Sequence, residues 1–321
     1  MKKILFTNRY RGESLKTVRE IVPEGFTIAF LSAQDQDTLK EEIADADYLL
    51  AGGRLRIDKG VLDRATRLKM IQRSGAGLDS LDLEAIKEKG LHLYVNKGIN
   101  AESVAEDVLL LMLASLRRLT VIDQNTKNGI WERHGQAMKT RELRGKTVGI
   151  VGMGSVGKRL VELLRPFEVK ILYCDIKRPD KDTEDERVLF TDVDDLLKRS
   201  DIVTLNCALT RETEGLLGRE KMEMMKDGAI LINTARGGLV DQEALIRALE
   251  NKKISFAALD VHSEEPLSDD CPLKRFENVI LTPHIAGITA DSFRNMMAEA
   301  IRNIVCFDEE RLEEIAGSRY L

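Results

Sequence analysis

Thr147-Val148-Gly149-Ile150-Val151-Gly152-Met153-Gly154-Ser155-Val156-Gly157 is the stretch on which the fold turns. A β-prone run enters a GxGxxG pattern and then continues with helical apolar spacing through Leu164. Gly152 fits the tight turn, Gly154 lets the backbone approach a pyrophosphate, and Gly157 lets helix and strand pack closely. Met153, Ser155 and Val156 complete the loop, and the first amides of the helix are donors for phosphate. Such turns also occur for purely steric reasons, so the surroundings decide. The next β-run, Val169 to Cys174, ends at Asp175, 18 residues after Gly157, where a carboxylate can bind the ribose hydroxyls of a dinucleotide. An acidic residue there repels a 2′-phosphate, which favours NAD over NADP; Lys177 and Arg178 either turn toward such a phosphate or form a solvated loop.

Working outward, short apolar runs alternate with helical patterns on both sides. Before the motif they fall at Lys3 to Thr7, Thr27 to Leu31, Tyr48 to Ala51, Lys69 to Gln72 and Leu91 to Val95. After it come Asp201 to Leu205, Ala229 to Asn233, Phe256 to Val261 and Val279 to Leu281. Alternation of this kind predicts parallel sheets with crossover helices. Ala101 to about Lys127 reads as one long helix, and Ala290 to Phe307 as a closing helix before a polar tail. The expected architecture is α/β, two doubly wound parallel-sheet domains. A Rossmann cofactor domain, residues 100–287, is inserted into a flavodoxin-like substrate domain, residues 1–99 and 288–321.

The chain has 321 residues, with 49 Lys plus Arg against 54 Asp plus Glu, a formal charge of −5 that argues against binding nucleic acid through phosphate neutralisation. Cys174, Cys207, Cys271 and Cys306 are widely separated and suggest neither a disulfide framework nor a metal site. The opening residues hold too short an apolar run for a secretory signal, and Val108 to Leu116 is about half a membrane span. A cytoplasmic protein without a membrane partner is expected.

Three further segments follow the glycine loop: Asn233-Thr234-Ala235-Arg236-Gly237-Gly238-Leu239-Val240-Asp241, Ala257-Ala258-Leu259-Asp260-Val261-His262-Ser263-Glu264-Glu265-Pro266, and Leu281-Thr282-Pro283-His284-Ile285-Ala286-Gly287. With Gly75-Ala76-Gly77-Leu78-Asp79 and Ser103-Val104-Ala105-Glu106, they resemble the D-isomer-specific 2-hydroxyacid dehydrogenases along nearly the whole chain. The residue types suit that chemistry. Reducing a 2-keto acid requires a hydride donor, a proton donor for the developing alkoxide and cationic or N–H groups for the oxygens.

The resemblance implies that Arg236 holds the carboxylate and polarises the carbonyl, and that His284 is the acid in reduction and the base in oxidation. Glu265 would hydrogen-bond the imidazole and stabilise its protonated form. Glu264 is the rival, set aside because the family's glutamate stands directly before a proline. An Arg236 that merely pairs with a carboxylate is the bland alternative. His92 reads as a core or interface residue, His134 as a loop residue near Trp131, and His262 as a structural residue, with a place lining the pocket as the lesser alternative. The resemblance also places Val104 on the nicotinamide and Asp260 at its carboxamide, with Cys207, Thr213, Thr234 and Ala235 along the cofactor path. The loop at Cys207-Ala208-Leu209-Thr210 departs from the family pattern, with alanine where relatives usually have proline, and is expected to be looser.

For the substrate, the resemblance assigns the backbone N–H groups of Ser74, Gly75, Ala76 and Gly77 to the carboxylate. Arg54, Arg56 and Arg73 would suit a distal phosphate, which puts 3-phosphoglycerate modestly ahead of glyoxylate or hydroxypyruvate; ordinary surface charge is the alternative. The chain shows no room for the additional regulatory domain of some phosphoglycerate dehydrogenases, so serine feedback is not expected. The same fold serves NAD(H)-sensing corepressors, which act by binding protein partners. The long helix and Trp131 suggest a homodimer arm, as in relatives.

Overall fold

A computed structural model describes residues 1–53, 55–178 and 185–321. The first strands and helices are β1 (Lys2–Phe6), α1 (Gly12–Ile21), β2 (Phe26–Phe30), α2 (Gln36–Glu42), β3 (Tyr48–Ala51), α3 (Lys59–Leu62), β4 (Met70–Arg73), α4 (Leu83–Glu88) and β5 (His92–Val95). Next come α5 (Ala101–Arg117), α6 (Leu119–Lys127), α7 (Arg133–Ala137), β6 (Thr147–Val151), α8 (Ser155–Leu164), β7 (Lys170–Cys174), β8 (Val188–Phe190), α9 (Val193–Arg199) and β9 (Ile202–Leu205). The last are α10 (Arg219–Met224), β10 (Ala229–Asn233), α11 (Gln242–Glu250), β11 (Ile254–Leu259), β12 (Val279–Leu281) and α12 (Ala290–Asp308).

The chain divides into two compact units, Met1–Asn100 with Ile288–Leu321, and Ala101–Gly287. The first holds a five-stranded sheet in the order β2-β1-β3-β4-β5, with every pairing parallel. This is the flavodoxin-like order. The second holds a seven-stranded parallel sheet in the order β12-β11-β10-β9-β6-β7-β8. Its strand order reverses at β6, between β9 and β7, and ligands of such sheets bind at that switch point, beyond the carboxyl ends of the strands.

Both faces of the second sheet are covered, which is why its strands read as continuous apolar runs. Val151, Val203, Leu205, Leu231 and Ala257 face one core, while Val148, Ile150, Ile202, Ile232 and Phe256 face the other. The alternation is the period of two that a strand imposes. Helices α5 and α8 pack on the second of these faces through Val108, Met112, Leu160 and Leu164. No helix among the described residues is long and apolar enough to cross a membrane.

Two expectations need correction, and the polar tail gains a defined place. The predicted helix from Ala101 to Lys127 is broken, because Arg118 adopts a left-handed conformation (φ 49°) between α5 and α6. Its side chain is only 16% exposed and donates to Glu277 at 2.7 Å, a tie that fixes the break. The polar tail does not run free. Tyr320 N–H donates to the Leu93 carbonyl at 2.8 Å, and Arg319 pairs antiparallel with Tyr94 at the edge of β5. His134 sits in the short helix α7 rather than in a loop. The three-residue edge strand β8 has no counterpart in the sequence reading, being too short to show a period.

Candidate active site

The glycine loop joins β6 to α8 at the switch point. Gly152 has φ 99°, and a Cβ there would stand 2.7 Å from the Cys207 nitrogen. A Cβ on Gly157 would meet the Gly152 carbonyl oxygen at 2.4 Å. Gly154 has open space where its Cβ would be, the clearance a ligand backbone approach requires. Helices α9 and α11 start under the side chains of Asp192 and Asp241, whereas α8 starts at Gly154 with no side-chain cap. Its first amides are therefore left for an external anion.

Asp175 follows β7 and accepts from Met153 N–H at 2.7 Å, so the carboxylate braces the loop it stands beside. Burial pushes the Cys207 thiol up to about 11 and the Cys174 thiol up to about 12, which keeps both neutral walls. The Thr234 hydroxyl, in a residue 8% exposed, is buried without a partner at the same sheet edge. Thr213 Oγ1 donates to the Ala208 carbonyl at 2.7 Å and accepts from Thr210 N–H at 2.8 Å. This staple pins the loop that lacks the family's proline. The cradle and the acidic residue at the end of β7 fit a dinucleotide.

The neighbouring strands β10, β11 and β12 run in register, Asn233 beside Leu259 and Leu259 beside Leu281. Arg236, Asp260 and His284 leave the sheet within three residues of those ends, so their loops emerge side by side at one edge. Asn233 shapes the first loop, its Nδ2 donating to the Arg236 carbonyl at 2.9 Å and its Oδ1 accepting from Ala235 N–H at 3.1 Å. Gly237 packs against the second loop so closely that a Cβ would lie 2.0 Å from the His262 carbonyl. No larger residue fits that approach.

Glu265 Oε2 stands 2.9 Å from His284 Nδ1, and its Oε1 accepts from His262 N–H at 3.0 Å. A carboxylate can only accept here, so Nδ1 carries the proton and Nε2 is left as the other nitrogen of the ring. Glu264 is exposed and makes no such contact. The imidazole is 42% exposed against 17% for the carboxyl, a half-open ring on a sheltered support. His284 has φ 58°, an uncommon conformation away from glycine. Asp260 holds it there: its carbonyl accepts from His284 N–H at 2.7 Å, and its carboxyl accepts from Thr282 Oγ1, Ile285 N–H and Ala286 N–H at 2.6, 2.8 and 2.9 Å.

Asp260 has no exposed surface, and its hydrogen bonds go to this loop. His262 donates from Nε2 to the Thr282 carbonyl at 2.9 Å, tying the second loop to the third. His92 packs on Phe307, ring centroids 5.0 Å apart, in the first unit.

Asp107 on α5 escaped the sequence reading. Its Oδ2 is buried without a partner among the described residues, and burial together with the nearby Asp260 carboxyl pushes its pKa up to about 6. The native state thus holds a proton that the unfolded chain releases near pH 4, and stability falls as pH rises from about 4 to about 6. Asp107→Asn removes that loss. It should raise Tm by about 2–4 °C at pH 8, roughly 1 kcal/mol once solvent screening is allowed for, and leave it unchanged at pH 4, as differential scanning calorimetry will show.

In the first unit, the expected carboxylate loop follows β4. Gly75, Ala76 and Gly77 N–H groups make no hydrogen bond among the described residues, but Ser74 N–H does not join them: it continues the ladder to the Ala51 carbonyl at 3.0 Å. Arg73 also differs from expectation. It is 7% exposed, and its guanidinium donates to the Gly77 carbonyl at 2.8 Å and to those of Ala51 and Gly53 at 3.4 Å. It braces two loops instead of presenting charge to a phosphate, because a buried guanidinium must satisfy its donors. Arg54 lies outside the described residues, and Arg56 is exposed. Two buried amides support the turn: Gln72 Nε2 donates to Asn96 Oδ1 at 3.1 Å, and Asn96 Nδ2 donates to the Ser74 carbonyl at 3.0 Å. A lone glutamine inside an apolar strand was the signal for them.

Residues 109–286 match the profile of the D-isomer specific 2-hydroxyacid dehydrogenase NAD binding domain. The chain is 40% identical over 273 residues to a glyoxylate reductase of Thermofilum pendens, covering 84% of this chain and 80% of that one. It is 35% identical over 305 residues to a D-3-phosphoglycerate dehydrogenase of Archaeoglobus fulgidus, covering 94% of this chain but only 57% of that protein. Its fold is similar to that of D-lactate dehydrogenase from Aquifex aeolicus, solved with NAD and lactic acid, with a TM-score of 0.87, 28% identity and coverage of 99% and 98%. The chain belongs to the D-isomer-specific 2-hydroxyacid dehydrogenase family. It is an NAD-dependent oxidoreductase of D-2-hydroxy acids and their 2-keto acids, and its second unit carries the NAD-binding fold.

Proposed function

We propose that this protein reduces a small 2-keto acid of the glyoxylate or hydroxypyruvate type, with His284 as the proton donor. The hydrogen bond between Glu265 and His284 Nδ1 at 2.9 Å carries the assignment. Bound NADH supplies the hydride. Arg236 takes the substrate carboxylate and polarises the carbonyl, and His284 Nε2 gives its proton to the developing alkoxide oxygen. Glu265 stabilises the imidazolium and fixes the ring, and in oxidation the same nitrogen takes the proton back. The N–H groups of Gly75, Ala76 and Gly77 serve as carboxylate donors, and Val104, Thr234, Ala235 and Asp260 line the nicotinamide side.

The inward-turned Arg73 favours a substrate without a distal phosphate, since the basic cluster that would have supported 3-phosphoglycerate loses a member. The similarity to a glyoxylate reductase points the same way. Following NADH absorbance with glyoxylate, hydroxypyruvate and 3-phosphohydroxypyruvate tests the assignment. The two smaller acids should give the higher kcat/KM; a preference for the phosphorylated acid would reverse it, and NADH binding without turnover of any acid would support a sensing protein instead.

Asp175 should select the cofactor. Asp175→Ser is expected to weaken NADH binding by about 10-fold or more, the loss of charge-assisted bonds to the ribose diol, while NADPH binding improves. Fluorescence titration with both cofactors reads this directly.

The working unit is proposed to be a homodimer joined through the segment containing α5 to α7, where Leu110, Leu119, Ile130, Trp131 and Met138 are exposed. The four cysteines are free thiols, in keeping with a reducing cytoplasm.

A further inference from the structure

The second unit has a cavity of about 180 Å³ at the amino edge of its sheet, where β9, β10 and β11 begin. Cofactor and catalytic loops leave from the opposite edge, a strand length away, about 13 Å for four residues. Five cations line the cavity, Arg118, Lys139, Arg141, Lys146 and Lys226, against the acids Asp201 and Asp227.

Tracing each charge to its partner leaves an excess. Lys226 pairs with Asp201 at 2.9 Å, Asp227 with Lys253 at 2.8 Å, and Arg118 with Glu277 at 2.7 Å. Asp201 also accepts from Thr147 N–H at 2.8 Å, which leaves it little for Lys146 beyond the attraction of charge. Arg141 donates only to the carbonyls of Met138 and Thr140. Lys139, Arg141 and Lys146 therefore have no ion-pair partner among the described residues, in a chain whose formal charge is −5.

The wall also holds buried donors with nothing to bond. Ser115 is 3% exposed, and its hydroxyl has no partner among the described residues. Arg118 uses Nη2 for Glu277, while its Nε–H is buried and unpaired. Buried polar groups without partners are few in folded proteins, and a hydroxyl and a guanidinium N–H beside unpaired ammonium groups are the donor set of an oxyanion site.

We propose that this cavity binds a small phosphate-type dianion, at a site separate from the cofactor's. Ser115 and Arg118, both in its wall, hold the donors left without partners, and Lys139, Arg141 and Lys146 supply charge at the rim. Occupation does not compete with NAD, because the pyrophosphate cradle at Gly152–Gly157 lies at the other edge.

The test is calorimetric titration of the full chain, saturated with NADH at low ionic strength, with inorganic phosphate and with pyrophosphate. One saturable site per chain is expected. The Lys139→Gln/Lys146→Gln pair should weaken it at least 10-fold with NADH affinity unchanged. Ser115→Ala, which takes one hydroxyl and no charge from the wall, should weaken it about fivefold with Tm retained. Absence of saturable binding, displacement of the anion by NADH, or affinity unchanged from the parent in the lysine pair and in Ser115→Ala overturns the proposal. If the lysine pair lowers Tm, Arg141→Gln takes its place.

Discussion

His284→Ala is expected to lower kcat for keto-acid reduction by about 10²-fold or more, the usual worth of a positioned acid. NADH affinity should stay within about twofold, because the imidazole is held by Glu265 and stands apart from the Gly152–Gly157 cradle. Stopped-flow reduction and fluorescence titration separate the two quantities. Alanine loses the ring but keeps the N–H that donates to the Asp260 carbonyl at 2.7 Å, which helps hold residue 284 at its left-handed φ of 58°. Parallel loss of NADH binding and of Tm would mean that the loop collapsed and that the proton-donor assignment is unproven by this variant. Unchanged kcat would remove His284 from the chemistry altogether.

Gly237→Ala should be nearly as damaging, although the residue touches no substrate. The added methyl would lie 2.0 Å from the His262 carbonyl carbon and oxygen and 2.4 Å from the Ser263 nitrogen, all main-chain atoms. Neither loop can yield by rotating a side chain, so the Arg236 and Glu265 loops must part. Displacement of about 1 Å in a reacting constellation costs about 10²-fold in rate, and a loss of that order in kcat/KM is expected with NADH binding preserved. Activity within about twofold of the parent would show that the close approach is dispensable. Gly238 provides a control. A Cβ there meets only the flexible end of Leu209, at 3.0 Å, so Gly238→Ala should be far milder.

Local signals carried much of this architecture. The glycine loop was readable because its GxGxxG spacing is a pattern of a few consecutive residues, and the strands because a sheet covered on both faces requires unbroken apolar runs. Arg236, Glu265 and His284 became candidates through the similarity of their flanking motifs to a family. What stayed hidden depends on partners far along the chain. The break at Arg118 answers to Glu277, and the inward turn of Arg73 to carbonyls at Ala51 and Gly53. The N–H of Ser74 looks available until its neighbour strand is known. Asp107 next to Asp260, and the basic cavity between the start of β9 and the end of α5, are likewise products of tertiary contact with no periodic signature.

The register of β10, β11 and β12 has a practical corollary. Spacing between their emerging loops is set by the interstrand distance, about 4.8 Å, and owes nothing to the length of the chain joining one strand to the next. Helix α11 could therefore be exchanged or extended by whole turns, and the chemical groups at the far edge would keep their places, provided the apolar side facing Leu231 and Ala257 were preserved. A protein engineer would find a graft point in the carboxyl-terminal turns of that outer helix, beyond Gln242, whose amide oxygen accepts from Ser263 at 3.4 Å.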